Sequence, residues 1–189
     1  MIKEESDVTA ARTLYEQYYD VSAMMCFFII SNVLYHYDGF RKNWIWTIYG
    51  NITAPTFYDM DTVFGRDWKG VSVLSNSVNT ILGNTPSIPT GQLVRLYKTE
   101  LDEMYKLLRD DKMIDVDYIM SFVYDWMNRV GTDAYKKNID KWSSIPSYRT
   151  ERTVNDGTYD GGMFDSPRRI ELWLIERIAY LDTYFNYNK

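Results

Sequence analysis

The stretches His36-Tyr37-Asp38-Gly39-Phe40-Arg41-Lys42-Asn43 and Tyr58-Asp59-Met60-Asp61-Thr62-Val63-Phe64-Gly65 carry the densest chemistry in this chain. Between them the hydrophobic pattern changes period. Trp44-Ile45-Trp46-Thr47-Ile48-Tyr49 is rich in aromatic and β-branched residues, Gly50-Asn51 offers a turn, and the chain from Ile52 can return as a partner strand as far as Tyr58. That composition fits a pleated surface and predicts a β-hairpin. Pro55 belongs at an edge or near a strand end, because proline has no N–H for a ladder. Asp38 and Asn43 then fall in a loop before the hairpin, and Asp59 and Asp61 at alternate positions after it.

Helices are expected on both sides. Residues 7–35 predict one long helix or two abutting ones, capped by Asp7 or Thr9. The run through Met24, Met25, Phe27, Phe28, Ile30, Val33 and Leu34 is apolar on nearly every face, so it belongs in the middle of a domain. Cys26 lies in that run and is expected as a small core residue. Residues 66–90 are rich in Gly, Ser, Asn, Thr and Pro and predict a long loop, with one short helical piece at 78–82. Apolar residues recur at helical spacing from Leu93 to Leu108, then from Val116 to Val130 behind Asp115 as N-cap, with 135–142 extending past Gly131. A polar loop over 143–165 precedes Ser166-Pro167, which opens a last helix striped by Ile170, Trp173, Leu174, Arg177 or Ile178, Leu181 and Phe185. These stripes predict core faces. The expected fold is mainly α, with the α+β character of one small hairpin, in a single domain over residues 1–189.

Composition narrows the function. The net charge is −5, which argues against a general nucleic-acid binder because phosphate neutralisation needs a basic face. One cysteine and one histidine exclude thiolate- or imidazole-rich metal centres, so a bound metal would take carboxylate and amide oxygens, as Mg2+, Ca2+ or Mn2+ do. The opening Met-Ile-Lys-Glu-Glu-Ser-Asp is polar and unlike a signal peptide, and the apolar run over 23–30 is too short for a membrane span. Aromatic residues make up 16% of the chain, 17 of them Tyr, which suits packing and protein interfaces. Carbohydrate binding through exposed Trp and Tyr is a weaker alternative that buried aromatics explain equally well.

Protein kinases place catalytic Asp and Asn five residues apart in one loop, and an Asp-Phe-Gly metal site after two short strands. An ATP-bound magnesium needs hard oxygen ligands from two directions, and an Asp must meet the acceptor hydroxyl. Here Asp38, Asn43 and Asp61 would converge in that way, with Asp59 as an additional or alternative ligand. Arg41 and Lys42 flank the loop within reach of phosphate. His36 is expected to pack under the loop, not to act as a base. The plainer alternative is a simple turn at Asp38-Gly39 with Asp59 and Asp61 solvated.

Beyond that layout, the chain from about residue 15 to 185 resembles the CotH family of spore-coat-type atypical kinases. The resemblance is carried by the apolar helix ending before Asp38-Gly39, by Lys42-Asn43-Trp44, and by Asp59-Met60-Asp61 with Phe64-Gly65. Asp140-Lys141-Trp142 and the helix from Arg169 to Asp182 follow the family pattern more loosely. Tyr58 stands where the family usually has Trp, and Asn32 or Tyr35 replaces a usual Asn near the loop. The resemblance implies a kinase-like C-terminal lobe that binds ATP with Mg2+ and phosphorylates protein hydroxyls. Asp38 would match the catalytic-loop aspartate, and Asn43 and Asp61 the metal-facing positions, with Asp59 beside them. Only helix precedes the catalytic-loop match, so the small lobe, with its phosphate-covering loop and lysine, is expected to be lost, to come from another chain, or to belong to a larger protein of which this chain is a piece. A lobe on its own would be incomplete or inactive. The alternative is a non-catalytic module of a larger assembly, such as a spore coat or a virion. Both imply a protein partner: the missing lobe, a substrate or assembly subunits.

Overall fold

A computed structural model describes residues 6–36, 38–40, 43, 45–60, 63–65, 89–142 and 165–187. Its first helices, α1 (Val8–Glu16) and α2 (Val21–Leu34), are separate. Each starts on an aspartate: Asp7 Oδ1 accepts from the N–H groups of Thr9 and Ala10, and Asp20 Oδ1 accepts from that of Ala23. These bonds satisfy backbone donors that a helix start otherwise leaves open. The break between the helices has a second cause. Tyr18–Asp20 pairs with the hairpin: Thr53 N–H donates to Tyr18 O at 2.7 Å, and Asp20 N–H to Thr53 O at 3.0 Å.

The hairpin joins β1 (Ile45–Tyr49) to β2 (Ile52–Thr56) antiparallel through Gly50-Asn51, with Tyr49 opposite Ile52 and Trp46 opposite Pro55. Across a two-residue turn the closing pair exchanges ladder bonds and the pairing alternates from there. Pro55 therefore sits where its nitrogen faces away from β1, and the strand tolerates it. Gly50 takes φ +59 at the turn, where a side chain would be strained.

Three longer helices complete the described fold with a shorter one: α3 (Pro89–Asp110), α4 (Val116–Val130), α5 (Thr132–Trp142) and α6 (Asp165–Tyr184). The described residues are thus mainly helical with a single small hairpin. In α2 the side chains of Met24, Phe27, Phe28, Ile29 and Val33 are buried, and they meet Leu93, Leu96 and Leu101 of α3 and Ile178, Leu181 and Phe185 at the end of α6. Burying one such side chain contributes roughly 1.5–3 kcal/mol. Tyr105 stacks on Phe185 at 4.3 Å and donates its hydroxyl proton to Asp182, which also takes a two-pronged bond from Arg109 at 2.9 and 3.1 Å. α3 is kinked at Tyr97, whose hydroxyl donates to Glu16 Oε1 at 3.0 Å.

Two expectations are corrected. Cys26 is exposed, because α2 turns it outward, where its nearest partner is Met104 sulfur at 4.0 Å. The stripe on α4 is a partial core face: Met120 is buried and Val116, Ile119 and Val123 pack against the core, while Phe122 and Trp126 stand 60% and 67% exposed beside it. Its amphipathic period is real, but the described helices cover only the side that meets α6. Gly131 also ends α4, so 132–142 forms its own helix. The predicted loops over 66–88 and 143–164, with the helical piece at 78–82, lie outside the described residues.

Candidate functional site

The first acidic loop begins where α2 stops. Tyr35 adopts the left-handed conformation (φ 58), with its N–H on Asn32 O and the His36 N–H on Ser31 O at 2.8 Å. This is a Schellman ending, in which glycine is usual. A tyrosine takes the place because its ring has partners: it meets Trp173 edge-on at 6.3 Å and lies 5.3 Å from the Arg177 guanidinium carbon. The next residue, His36, is fully buried, and neither ring nitrogen has a hydrogen-bond partner among the described residues. It serves as packing. A Cβ on Gly39 would lie 2.3 Å from the His36 ring, so only glycine lets the loop close over it.

The short 3-10 turn Asp38–Phe40 follows, anchored by Phe40 against Phe27 and Phe28 with centroids 5.7 and 6.1 Å apart. Asp38 is 7% exposed, and its carbonyl accepts the Asn43 N–H at 3.0 Å. The Asp38-to-Asn43 spacing thus closes a backbone loop that turns Asn43 back toward its start.

The second acidic loop leaves β2. Phe57 packs 5.0 Å from Phe27 and 6.4 Å from His36, which fixes the strand exit over the first loop. Asp59 then takes φ 51, a left-handed conformation that Asp tolerates better than most residues. Asn43 Nδ2 donates to Asp59 Oδ2 at 3.2 Å, so the two loops meet through side chains predicted to act together. Phe64 N–H returns to Leu34 O at 2.8 Å, on the last residue of α2. Gly65 has φ +72, and a Cβ there would lie 2.3 Å from Trp173 Nε1.

The structure thus brings the Asn43 and Asp59 side chains together and ties Asp38 to Asn43 through its backbone carbonyl. Arg41, Lys42 and Asp61 lie outside the described residues. Asp59 is exposed and Asn43 half-buried. Among the described residues, no group of three or more His, Cys, Asp or Glu side chains is placed to hold a metal ion. The oxygens present, the Asp59 carboxylate and the Asn43 amide, are of the hard type that Mg2+ or Mn2+ accepts. They fit such an ion in kind and leave most of its coordination to other ligands.

Next to Phe64 runs an apolar groove of about 490 Å³, lined among others by Val123, Trp126, Met127, Pro167 and Ile170. Sequence periodicity placed Val123, Met127 and Ile170 on core faces, and among the described residues they line this groove. Among the described residues no helix is long and apolar enough to cross a membrane. Comparison with known proteins returns no match: no family model, no curated protein and no solved structure matches the chain.

Proposed function

We propose that this chain is the helical lobe of a CotH-like kinase fold, a metal–nucleotide site that does not transfer phosphate unaided. The observation that carries this is the Asn43–Asp59 hydrogen bond, which joins the loops before and after the hairpin. The buried Asp38, tied by its carbonyl to the Asn43 N–H, adds a second link within the first loop. In this assignment Asn43, Asp59 and Asp61 would hold Mg2+, and Arg41 and Lys42 would bind phosphate. When bound, the ion would neutralise phosphate charge as the phosphoryl group leaves ATP. Asp38 would accept the proton of an acceptor hydroxyl, and the closed loop fixes its backbone.

Equilibrium titration with ATP tests the site. Binding is expected at millimolar Mg2+, should vanish with EDTA, and should weaken roughly tenfold or more in Asp59→Ala, as loss of one metal ligand implies. Binding indifferent to EDTA, or none at millimolar Mg-ATP, would sink the proposal. Protein incubated with γ-labelled ATP should stay unlabelled until a small lobe is supplied.

A non-catalytic assembly module is the second reading. It is favoured by the exposed Phe122 and Trp126 beside the groove, since apolar surface of this kind marks interaction sites. Light scattering separates the two: a complex lost in Trp126→Ser, without any nucleotide binding, would favour the module.

A further inference from the structure

Helix α6 sends three side chains, one per turn, onto the parts of the chain that carry the acidic loops. Arg169 Nη1 donates to Phe64 O at 3.0 Å, on the segment that follows Asp59. Trp173 lies against Gly65, with its ring 6.3 Å from both Phe64 and Tyr35. Arg177 Nε donates to Asn32 O at 2.7 Å and Nη2 reaches Asn32 Oδ1 at 3.4 Å, in the last turn of α2 just before Asp38. Asn32 is itself held, its amide donating to Phe28 O at 2.8 Å. Spacing of i, i+4 and i+8 places all three on one helix face. Both loops that meet at Asn43–Asp59 are therefore hung from a single rigid rod.

The chemistry of Arg177 is unusual for a residue that only fills space. It is 1% exposed, and no carboxylate pairs with it among the described residues. Its neighbours are Asn32 and the rings of Tyr35 and Tyr180. Burial pulls its pKa down to about 10. A leucine would pack there without that desolvation. What only arginine supplies is a planar fork to a backbone carbonyl and a side-chain oxygen together, at the negative end of the α2 dipole.

We propose that Arg169 and Arg177 are positioning residues that set the separation of the Asp38–Asn43 and Asp59 loops, and through it the affinity for a divalent cation. The inference rests on the metal–nucleotide assignment above and deepens it. Neither arginine touches the ion. Each holds a backbone carbonyl that fixes where a ligand-bearing loop starts or ends.

Mn2+ is the probe, titrated by the loss of its free-ion EPR signal in the full chain. Temperatures well below each variant's melting point keep the folded fraction the same. Arg177→Met, Arg177→Lys and Arg169→Lys are compared with wild type. The expected result is a Kd roughly tenfold weaker in Arg177→Met and several-fold weaker in the lysine variants, the range seen when outer-shell partners are lost. Amide exchange should quicken at Asn43 and Phe64 and stay unchanged at Leu101 in α3. If Arg177→Met does not fold, the lysine variants decide, because they keep the charge and lose only the fork. Folded variants that bind Mn2+ as wild type does would overturn the positioning role alone, leaving the arginines as packing. Wild type that binds no Mn2+ at millimolar concentration would overturn the metal assignment and this inference with it.

Discussion

Gly65 bears two constraints at once: a left-handed backbone (φ +72) and an approach to Trp173 that would put a Cβ 2.3 Å from the indole nitrogen. Gly131 also has a positive φ (+75), in an extended conformation (ψ 155) essentially reserved for glycine, with nothing within 4 Å. Gly131→Ala is expected to cost about 1–3 kcal/mol through strain alone. Gly65→Ala is expected to cost about 2–4 kcal/mol, strain plus overpacking. A Gly65→Ala loss below that range in urea melts would mean that Trp173 moves aside freely. At this scale the sequence was legible in part. Phe64-Gly65 and Asp38-Gly39 announce tight backbone, yet nothing in them tells that His36 and Trp173 are the groups that need the space. Tyr35 was harder, since a left-handed helix end without glycine has no local signature; its partners Trp173 and Arg177 lie far along the chain.

α4 and α6 look alike as sequences and behave differently as helices. Both show apolar residues at helical spacing, but α6 buries Trp173, Leu174, Ile178 and Leu181, whereas α4 leaves Trp126 67% exposed. Trp173→Ala should therefore cost about 3–5 kcal/mol, the range for truncating a buried tryptophan. Trp126→Ala should stay within about 0.5 kcal/mol, as exposed sites do. Chemical denaturation of both variants checks this; a large loss in Trp126→Ala would mean that α4 is covered. Periodicity reports that a helix has an apolar side and not what lies over it. The starts of elements were easier to see. Asp7 and Asp115 each accept two N–H groups in the first turn, as their place before apolar runs predicts. Asp115→Ala should cost about 1 kcal/mol. The break between α1 and α2 was not legible, because it depends on Tyr18–Asp20 pairing with Thr53, a contact between distant segments.

For the whole molecule, the tyrosine content sets a limit at alkaline pH. Burial pushes the hydroxyls of Tyr15, Tyr97 and Tyr105 far above their ordinary 10.0, and that of Tyr184 to about 12. Up to about pH 10 folded and unfolded chains both keep these protons; above it the unfolded chain loses them first, so stability falls with rising pH. Tyr15 and Tyr105 should each remove about 1.4 kcal/mol per pH unit there. Arg177 acts in the opposite sense from about 10 upward, as burial favours its neutral form, but it is one group against several. Thermal melts should hold steady to about pH 9.5 and then drop; melting temperatures that stay level to about pH 11 would contradict this burial. The proposed function hangs on the acidic loops and their Asn43–Asp59 contact. Its most direct test is the melting temperature in ATP with and without Mg2+. Mg-ATP at about ten times its Kd should stabilise the chain by about 1.4 kcal/mol, a rise of roughly 3–6 °C, absent in EDTA and cut to about 0.4 kcal/mol or less in Asp59→Ala. A wild-type melting temperature that does not move at millimolar Mg-ATP would contradict the account.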